Sequence, residues 1–119
     1  MERQFPCTPE SIAAARRFVE ATLAGADRME AVERARLVVS ELATNAIKHA
    51  QSDFGVEVDV DAVVRLAVSD QHSGDLTLPP PLGLTATSGR GLGIVAGLGD
   101  RWGVEHLAAG KRVWWEIEF

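Results

Sequence analysis

The chain has 119 residues, of which 46% are hydrophobic and 24% are charged, and its formal net charge is −5. This length and composition predict one globular domain over residues 1–119, and the acidic balance argues against a nucleic-acid or anionic-membrane surface, because both require a basic patch. The single cysteine excludes an internal disulfide and, together with the lack of a hydrophobic signal or membrane-spanning segment, predicts a cytoplasmic protein.

The N-terminal half of the chain predicts an edge strand followed by two helices. Residues 1–7 fit a short edge strand, and Thr8 is expected to cap a first helix that continues to about Leu23. A capping box that begins at Asp27 predicts the start of a second helix, which extends to about Ala50.

Three polar residues follow one another at helical spacing near the end of the second helix. Glu41, Asn45 and His49 are four residues apart, so they share one gently drifting stripe of the helix. One interpretation is a polar helix edge that faces water, with His49 favoured by the helix dipole. The other is the lip of a nucleotide and magnesium site, in which Asn45 offers a neutral oxygen to Mg²⁺ and Glu41 positions or deprotonates a hydroxyl group or water.

The C-terminal half predicts four strands, a linker and a short third helix. Alternating apolar residues indicate strands, and adjacent strands are close enough in sequence to form hairpins. The predicted elements are strands at Gly55–Val60 and Val63–Ser69, a linker at 71–88, a helix from Leu92 to about Leu98, and strands at Arg101–Leu107 and Lys111–Phe119. We therefore expect an α+β fold with a mainly antiparallel sheet and helices on one face.

Two further features are candidates for ligand binding. Asp70 lies at the end of a core-facing row, where it is either a turn former or an acceptor for the exocyclic amine of a purine. The glycine cluster Gly89-Arg-Gly-Leu-Gly93 opens the third helix, which suits either a phosphate chain or a hinge. Trp102 and Trp114 in the last hairpin are expected to contribute to a partner-binding patch on the outer face of the sheet.

Three of these elements, in this order, resemble the motifs of the GHKL ATPase superfamily. Glu41-x-x-x-Asn45-Ala is similar to its N box, Asp70-x-x-x-Gly74 to its first glycine box, and Gly89-Arg-Gly-Leu-Gly93 to its second. The resemblance spans nearly the whole chain. It is strongest to the single-domain anti-sigma-factor serine/threonine kinases, as in small actinobacterial ATP-binding regulators.

The resemblance implies a two-layer α/β sandwich, the Bergerat fold, that binds ATP and Mg²⁺. Asn45 would hold the metal, Glu41 would be the catalytic base, and Asp70 would recognise adenine. The other residues implied to bind the nucleotide are His49, Gly74, Gly89, Arg90, Gly91, Leu92 and Gly93. The resemblance also implies a lid at about 71–88, a STAS-type anti-anti-sigma protein or a sigma factor as partner, and a homodimer that the Trp-bearing outer sheet face would allow.

Two departures from the family pattern keep alternatives open. His72 stands where the first glycine box usually has its middle glycine, and Thr87 stands where sporulation-type kinases have an arginine, for which Arg90 is a candidate substitute. These departures favour a non-catalytic interaction module with a weakened nucleotide site. A detached histidine-kinase catalytic domain is a third hypothesis, disfavoured because no dimerisation and phosphoacceptor helix pair precedes the domain.

Overall fold

A computed structural model describes residues 1–25, 29–71, 97–108 and 110–118. Within these ranges the chain forms five strands, two α-helices and a π-helical turn. In chain order the elements are β1 (Glu2–Phe5), α1 (Glu10–Leu23), α2 (Met29–Asn45), the π-helical turn (Ala46–Ala50), β2 (Phe54–Val60), β3 (Val63–Asp70), β4 (Arg101–Leu107) and β5 (Gly110–Glu118).

The five strands form one antiparallel sheet in the order β1-β2-β3-β5-β4. Helix α1 contacts β1 and β2, whereas α2 contacts α1 and β3, so the two helices form a second layer on one face of the sheet. This arrangement confirms the predicted α+β architecture with an antiparallel sheet and helices on one face. No helix within the described ranges is long and apolar enough to cross a membrane.

The core lies between the helices and every second residue of the strands. Strand β5 shows the pattern, because Val113, Trp115 and Ile117 are buried while the residues between them are only partly covered. At the β1 end, Phe5 stacks on Phe54 with 5.5 Å between ring centroids. Alternation of this kind is what a sheet with one covered face requires.

Three local predictions differ from the structure or lie outside its described part. The Thr8 hydroxyl bonds the hydroxyl of Ser11 at 3.1 Å rather than a backbone N–H, and Pro9 directly precedes α1. The capping box at Asp27 and most of the predicted third helix fall outside the described residues, although Gly97 and Leu98 are helical.

The prediction that Trp102 joins Trp114 on the outer face of the sheet is wrong. Trp102 lies opposite Trp115 in the register of β4 and β5, and directly opposed residues of antiparallel strands point to the same face. Trp115 is fully buried, and Trp102 packs against the same core cluster. Trp114 therefore lies on the outer face without Trp102, where its indole covers the backbone of Gly103.

The outer face also carries a small ion-pair network centred on Glu116. Its carboxylate accepts hydrogen bonds from Arg65 at 2.7 Å and from Arg101 at 3.0 Å. These bonds and the two positive charges lower the pKa of Glu116 below its usual value. The network links β3, β5 and β4 across the sheet.

Candidate functional site

The predicted N-box residues Glu41 and Asn45 lie on the flank of α2 that faces away from α1. Arg36 marks the opposite flank, because it pairs with Glu20 of α1 at 3.4 Å. At about 100° per residue, Glu41 is rotated about 140° and Asn45 about 180° from Arg36. Both side chains are partly buried, between the core stripe and solvent. Since α1 contacts β1 and β2 whereas α2 contacts β3, this flank of α2 lies on the side away from β1 and β2.

The helix changes its hydrogen-bonding pattern immediately after Asn45. Residues Ala46–Ala50 form a π-helical turn, which ends at Gln51 in the left-handed conformation with a φ of 51°. π-Helical turns are rare and occur frequently at functional sites. His49, the third residue of the stripe, lies in this turn and is exposed, so the regular α-helical spacing that the sequence suggested ends at Asn45.

Asp70 lies close to the end of this turn. It is the last residue of β3, it pairs with Phe54 at the start of β2, and the backbone N–H of the next residue, Gln71, donates to the hydroxyl of Ser52 at 3.1 Å. The π-helical turn also contacts β3. The fold therefore brings the end of the N-box helix and the predicted adenine-binding carboxylate to the same end of the sheet.

Sequence reasoning missed Lys111, which pairs with Asp70. The two residues are directly opposite in the register of β3 and β5, and the Lys111 ammonium group donates a hydrogen bond to Asp70 Oδ2. Asp70 is 6% exposed and Lys111 is 4% exposed. The alternation of side chains along β5 could have predicted this position. Lys111 is two residues before Val113 and four before Trp115, so all three side chains lie on the core face of the sheet.

Gly110 makes this strand pairing possible. Its φ is +149°, and a Cβ atom built there would lie 1.9 Å from the carbonyl oxygen of Asp70. Only glycine tolerates both this backbone conformation and this close approach. The backbone at Gly110 therefore sets the position of Lys111 relative to Asp70.

The remaining predicted site residues lie outside the described part of the chain. These are Gly74, Gly89, Arg90, Gly91, Leu92 and Gly93, together with the lid residues after Gln71.

Three cavities of about 300–330 Å³ are lined by described residues, and neither Glu41 nor Asn45 lines any of the three. In the same part of the chain, no cluster of three or more His, Cys, Asp or Glu side chains is arranged to hold a metal. A single neutral ligand such as Asn45 is nevertheless compatible with Mg²⁺, which keeps several waters and phosphate oxygens.

The chain matches the model of one known protein family over most of its length. The family model described as the histidine kinase-like ATPase domain matches residues 5–116. The chain belongs to this family. Membership confirms the GHKL resemblance and implies ATP as the nucleotide. A search of the curated proteins found no match.

Two solved structures share the fold of this histidine kinase-like ATPase domain. One contains the RsbU and RsbW domains of Rv1364c from Mycobacterium tuberculosis, with a TM-score of 0.71, 16% identity, and coverage of 99% of this chain and 32% of that chain. The other is the histidine kinase domain of the blue-light activated histidine kinase EL346 from Erythrobacter litoralis, with a TM-score of 0.57, 24% identity, and coverage of 95% of this chain and 61% of that chain. The present chain therefore spans about a third of the first structure's length and 61% of the second's. These similarities support the Bergerat fold.

Proposed function

We propose that this domain is a Mg·ATP-binding regulator of the anti-sigma-factor type, which phosphorylates a serine or threonine of an anti-anti-sigma partner. The proposal is supported by the position of Glu41 and Asn45 on the flank of α2 away from α1, and by the position of Asp70 next to the end of the turn that follows Asn45. Family membership supplies the nucleotide. The similarity in fold to a structure containing an RsbW domain motivates the choice of a partner-switching regulator.

Each residue has a distinct role in this proposal. ATP would supply the phosphoryl group, and Mg²⁺ would neutralise its charge. The amide oxygen of Asn45 would bind the metal, the Glu41 carboxylate would accept the proton of the substrate hydroxyl, and Asp70 would accept a hydrogen bond from the adenine amine. Phosphoryl transfer depends mainly on positioning and electrostatics, so a small set of groups of this kind is sufficient.

The partner in this proposal is a STAS-type anti-anti-sigma protein, and a sigma factor is the second protein that such a regulator would hold. A non-catalytic interaction module is the second candidate. It is favoured by the pairing of Asp70 with Lys111, which engages the carboxylate assigned to adenine, and by His72 in the first glycine box. The two candidates differ in whether Mg·ATP binds and whether phosphate is transferred.

Binding of Mg·ATP is expected to depend on Asn45. Loss of an outer-shell partner typically costs 10- to 100-fold in metal affinity, so Asn45→Ala, which removes a direct ligand, should weaken Mg·ATP binding by at least about tenfold. Isothermal titration calorimetry measures this effect. Thr44→Ala is the matched control, because the neighbouring Thr44 hydroxyl already donates to the Ser40 carbonyl at 2.6 Å. Wild-type protein that gives no heat with Mg·ATP would favour the interaction module.

Phosphoryl transfer is expected to depend on Glu41. Positioned general bases contribute roughly 10²- to 10⁴-fold, so Glu41→Gln should slow transfer of a γ-phosphate label to a candidate anti-anti-sigma protein by that factor while ATP still binds. Glu33→Gln, an exposed position on the same helix, is the control and should match wild type. Equal transfer by Glu41→Gln and wild type would remove the assigned role of Glu41.

A further inference from the structure

Lys111 is a buried cation to which the proposed function above assigns no role. Its ammonium group lies on the core face of β5, next to the carboxylate to which we assign adenine recognition. Burying a lysine is costly unless its charge is compensated, and a fully buried lysine is almost always paired with an opposite charge. The pairing with Asp70 supplies the compensating charge.

The hydrogen-bonding capacity of Lys111 exceeds what this pairing uses. An ammonium group has three N–H donors and no acceptor. Within the described residues, the one acceptor recorded for Lys111 is Asp70 Oδ2. The side chain therefore brings donors to the position of the proposed base pocket, and these donors suit an acceptor atom on a ligand.

The combination of a carboxylate and an ammonium group matches the edge of adenine. In adenine the exocyclic amine is a donor, and the ring nitrogens N1 and N7 on either side of it are acceptors. A carboxylate alone recognises only the amine, whereas Asp70 and Lys111 together offer an acceptor beside a donor. The ring nitrogens N1 and N7 are therefore additional atoms of the base that Lys111 could recognise, beyond the exocyclic amine assigned to Asp70.

We propose that Lys111 is a specificity-determining residue of the base pocket, whose ammonium group donates a hydrogen bond to the purine ring nitrogen next to the exocyclic amine. This inference rests on the proposed function, in which Asp70 binds that amine. The register of β3 and β5 holds the two side chains side by side, and the conformation of Gly110 fixes the strand at this point. Lys111 thus extends recognition from one atom of the base to two adjacent atoms.

Deaza analogues of ATP test this contact directly in the unmodified protein. Replacing N1 or N7 by a C–H group removes one acceptor and retains the amine. We expect either 1-deaza-ATP or 7-deaza-ATP to bind wild-type protein about tenfold or more weakly than ATP, which is typical for the loss of a hydrogen bond to a charged group. If both analogues bind within about twofold of ATP, the proposal is overturned.

Variants assign the effect to Lys111. In Lys111→Met, measured at a temperature where thermal melting shows folded protein, ATP should bind about tenfold more weakly, and ATP and both analogues should bind equally well. A merely structural role would lower all three affinities and preserve their ratios, which would overturn the proposal. Lys111→Gln keeps a neutral donor at the position and should discriminate less than wild type, because hydrogen bonds from neutral donors are weaker. Discrimination by Lys111→Gln as strong as that of wild type would contradict a contact made by the ammonium group.

The neighbouring residue provides the control, and the outcomes separate the two proposals. Arg112 follows Lys111 in β5 but lies on the outer face, where it bonds Glu105 at 3.1 Å. Arg112→Met should retain the wild-type pattern with all three nucleotides. If wild-type protein binds ATP without distinguishing the analogues, only the Lys111 inference fails. If it binds no ATP, both that inference and the proposed function fail.

Discussion

Replacing Lys111 with methionine is expected to lower the free energy of unfolding by about 3–5 kcal/mol, because it removes the ammonium partner of a buried carboxylate. Asp70 and Lys111 are both more than nine-tenths buried, so water cannot readily replace the lost partner. Urea unfolding at neutral pH measures the change. Lys48→Met, an exposed lysine in the π-helical turn, is the matched control and should change stability by less than about 0.5 kcal/mol.

A double variant distinguishes the loss of the ion pair from the loss of packing by the lysine side chain. Asp70→Asn combined with Lys111→Met removes both charges, so its cost should be smaller than the sum of the two single substitutions. Strictly additive costs would show that the two side chains stabilise the fold independently. Such a result would contradict the ion pair as the reason for burying Lys111.

Replacing Gly110 with alanine is expected to destabilise the protein by at least about 2 kcal/mol and to weaken nucleotide binding. Holding a non-glycine residue at the unusual φ of Gly110 costs roughly 1–3 kcal/mol by itself. The added methyl group would also collide with the carbonyl oxygen of Asp70, so β3 and β5 must separate at the point where Asp70 and Lys111 meet. Thermal and urea unfolding measure the first effect, and titration with Mg·ATP measures the second.

Gly25→Ala is the control for this substitution. A Cβ atom at Gly25 would meet nothing within 4 Å, and its backbone φ lies outside the left-handed range. The control should therefore match wild type or exceed its stability slightly, since alanine restricts the unfolded chain more than glycine does. Equal stability of Gly110→Ala and Gly25→Ala would show that β5 tolerates a side chain at this position.

The strands were predictable from the sequence because apolar and polar residues alternate along them. The register between neighbouring strands was not predictable in this way. Val56, Val58 and Val60 identify β2 from period two alone, and the structure has a strand at Phe54–Val60. The position of Trp102 depends instead on the register of the β4–β5 hairpin, which a single strand does not reveal. The π-helical turn was also hidden, because the apolar residues around Asn45 fit an α-helix over so short a segment.

In the candidate site, too, motifs within one element were predictable from the sequence, whereas a pairing between two strands was not. The motif spacing predicted Glu41, Asn45 and Asp70 as site residues, and the structure brings the end of the helix that carries Asn45 to the end of the sheet at which Asp70 lies. Lys111 was not predicted as a site residue because lysine is almost never fully buried unless it is paired, although the alternation along β5 places it on the core face. The roles of Glu41, Asn45 and Asp70, like those of the residues after Gln71, stay predictions.

The bond between Ser52 and Gln71 has a mechanical consequence for the two ends of this site. Gln71 is the residue at which the chain leaves the sheet toward the segment that the sequence assigns to the lid, and Ser52 follows the turn that begins after Asn45. A displacement of the chain beyond Gln71 would therefore be transmitted through the Ser52 hydroxyl group to the end of the helix that carries Asn45, the proposed metal ligand. The residues proposed to recognise the base and to bind the cation are therefore connected through the same hydrogen bond, so a displacement of one would move the other.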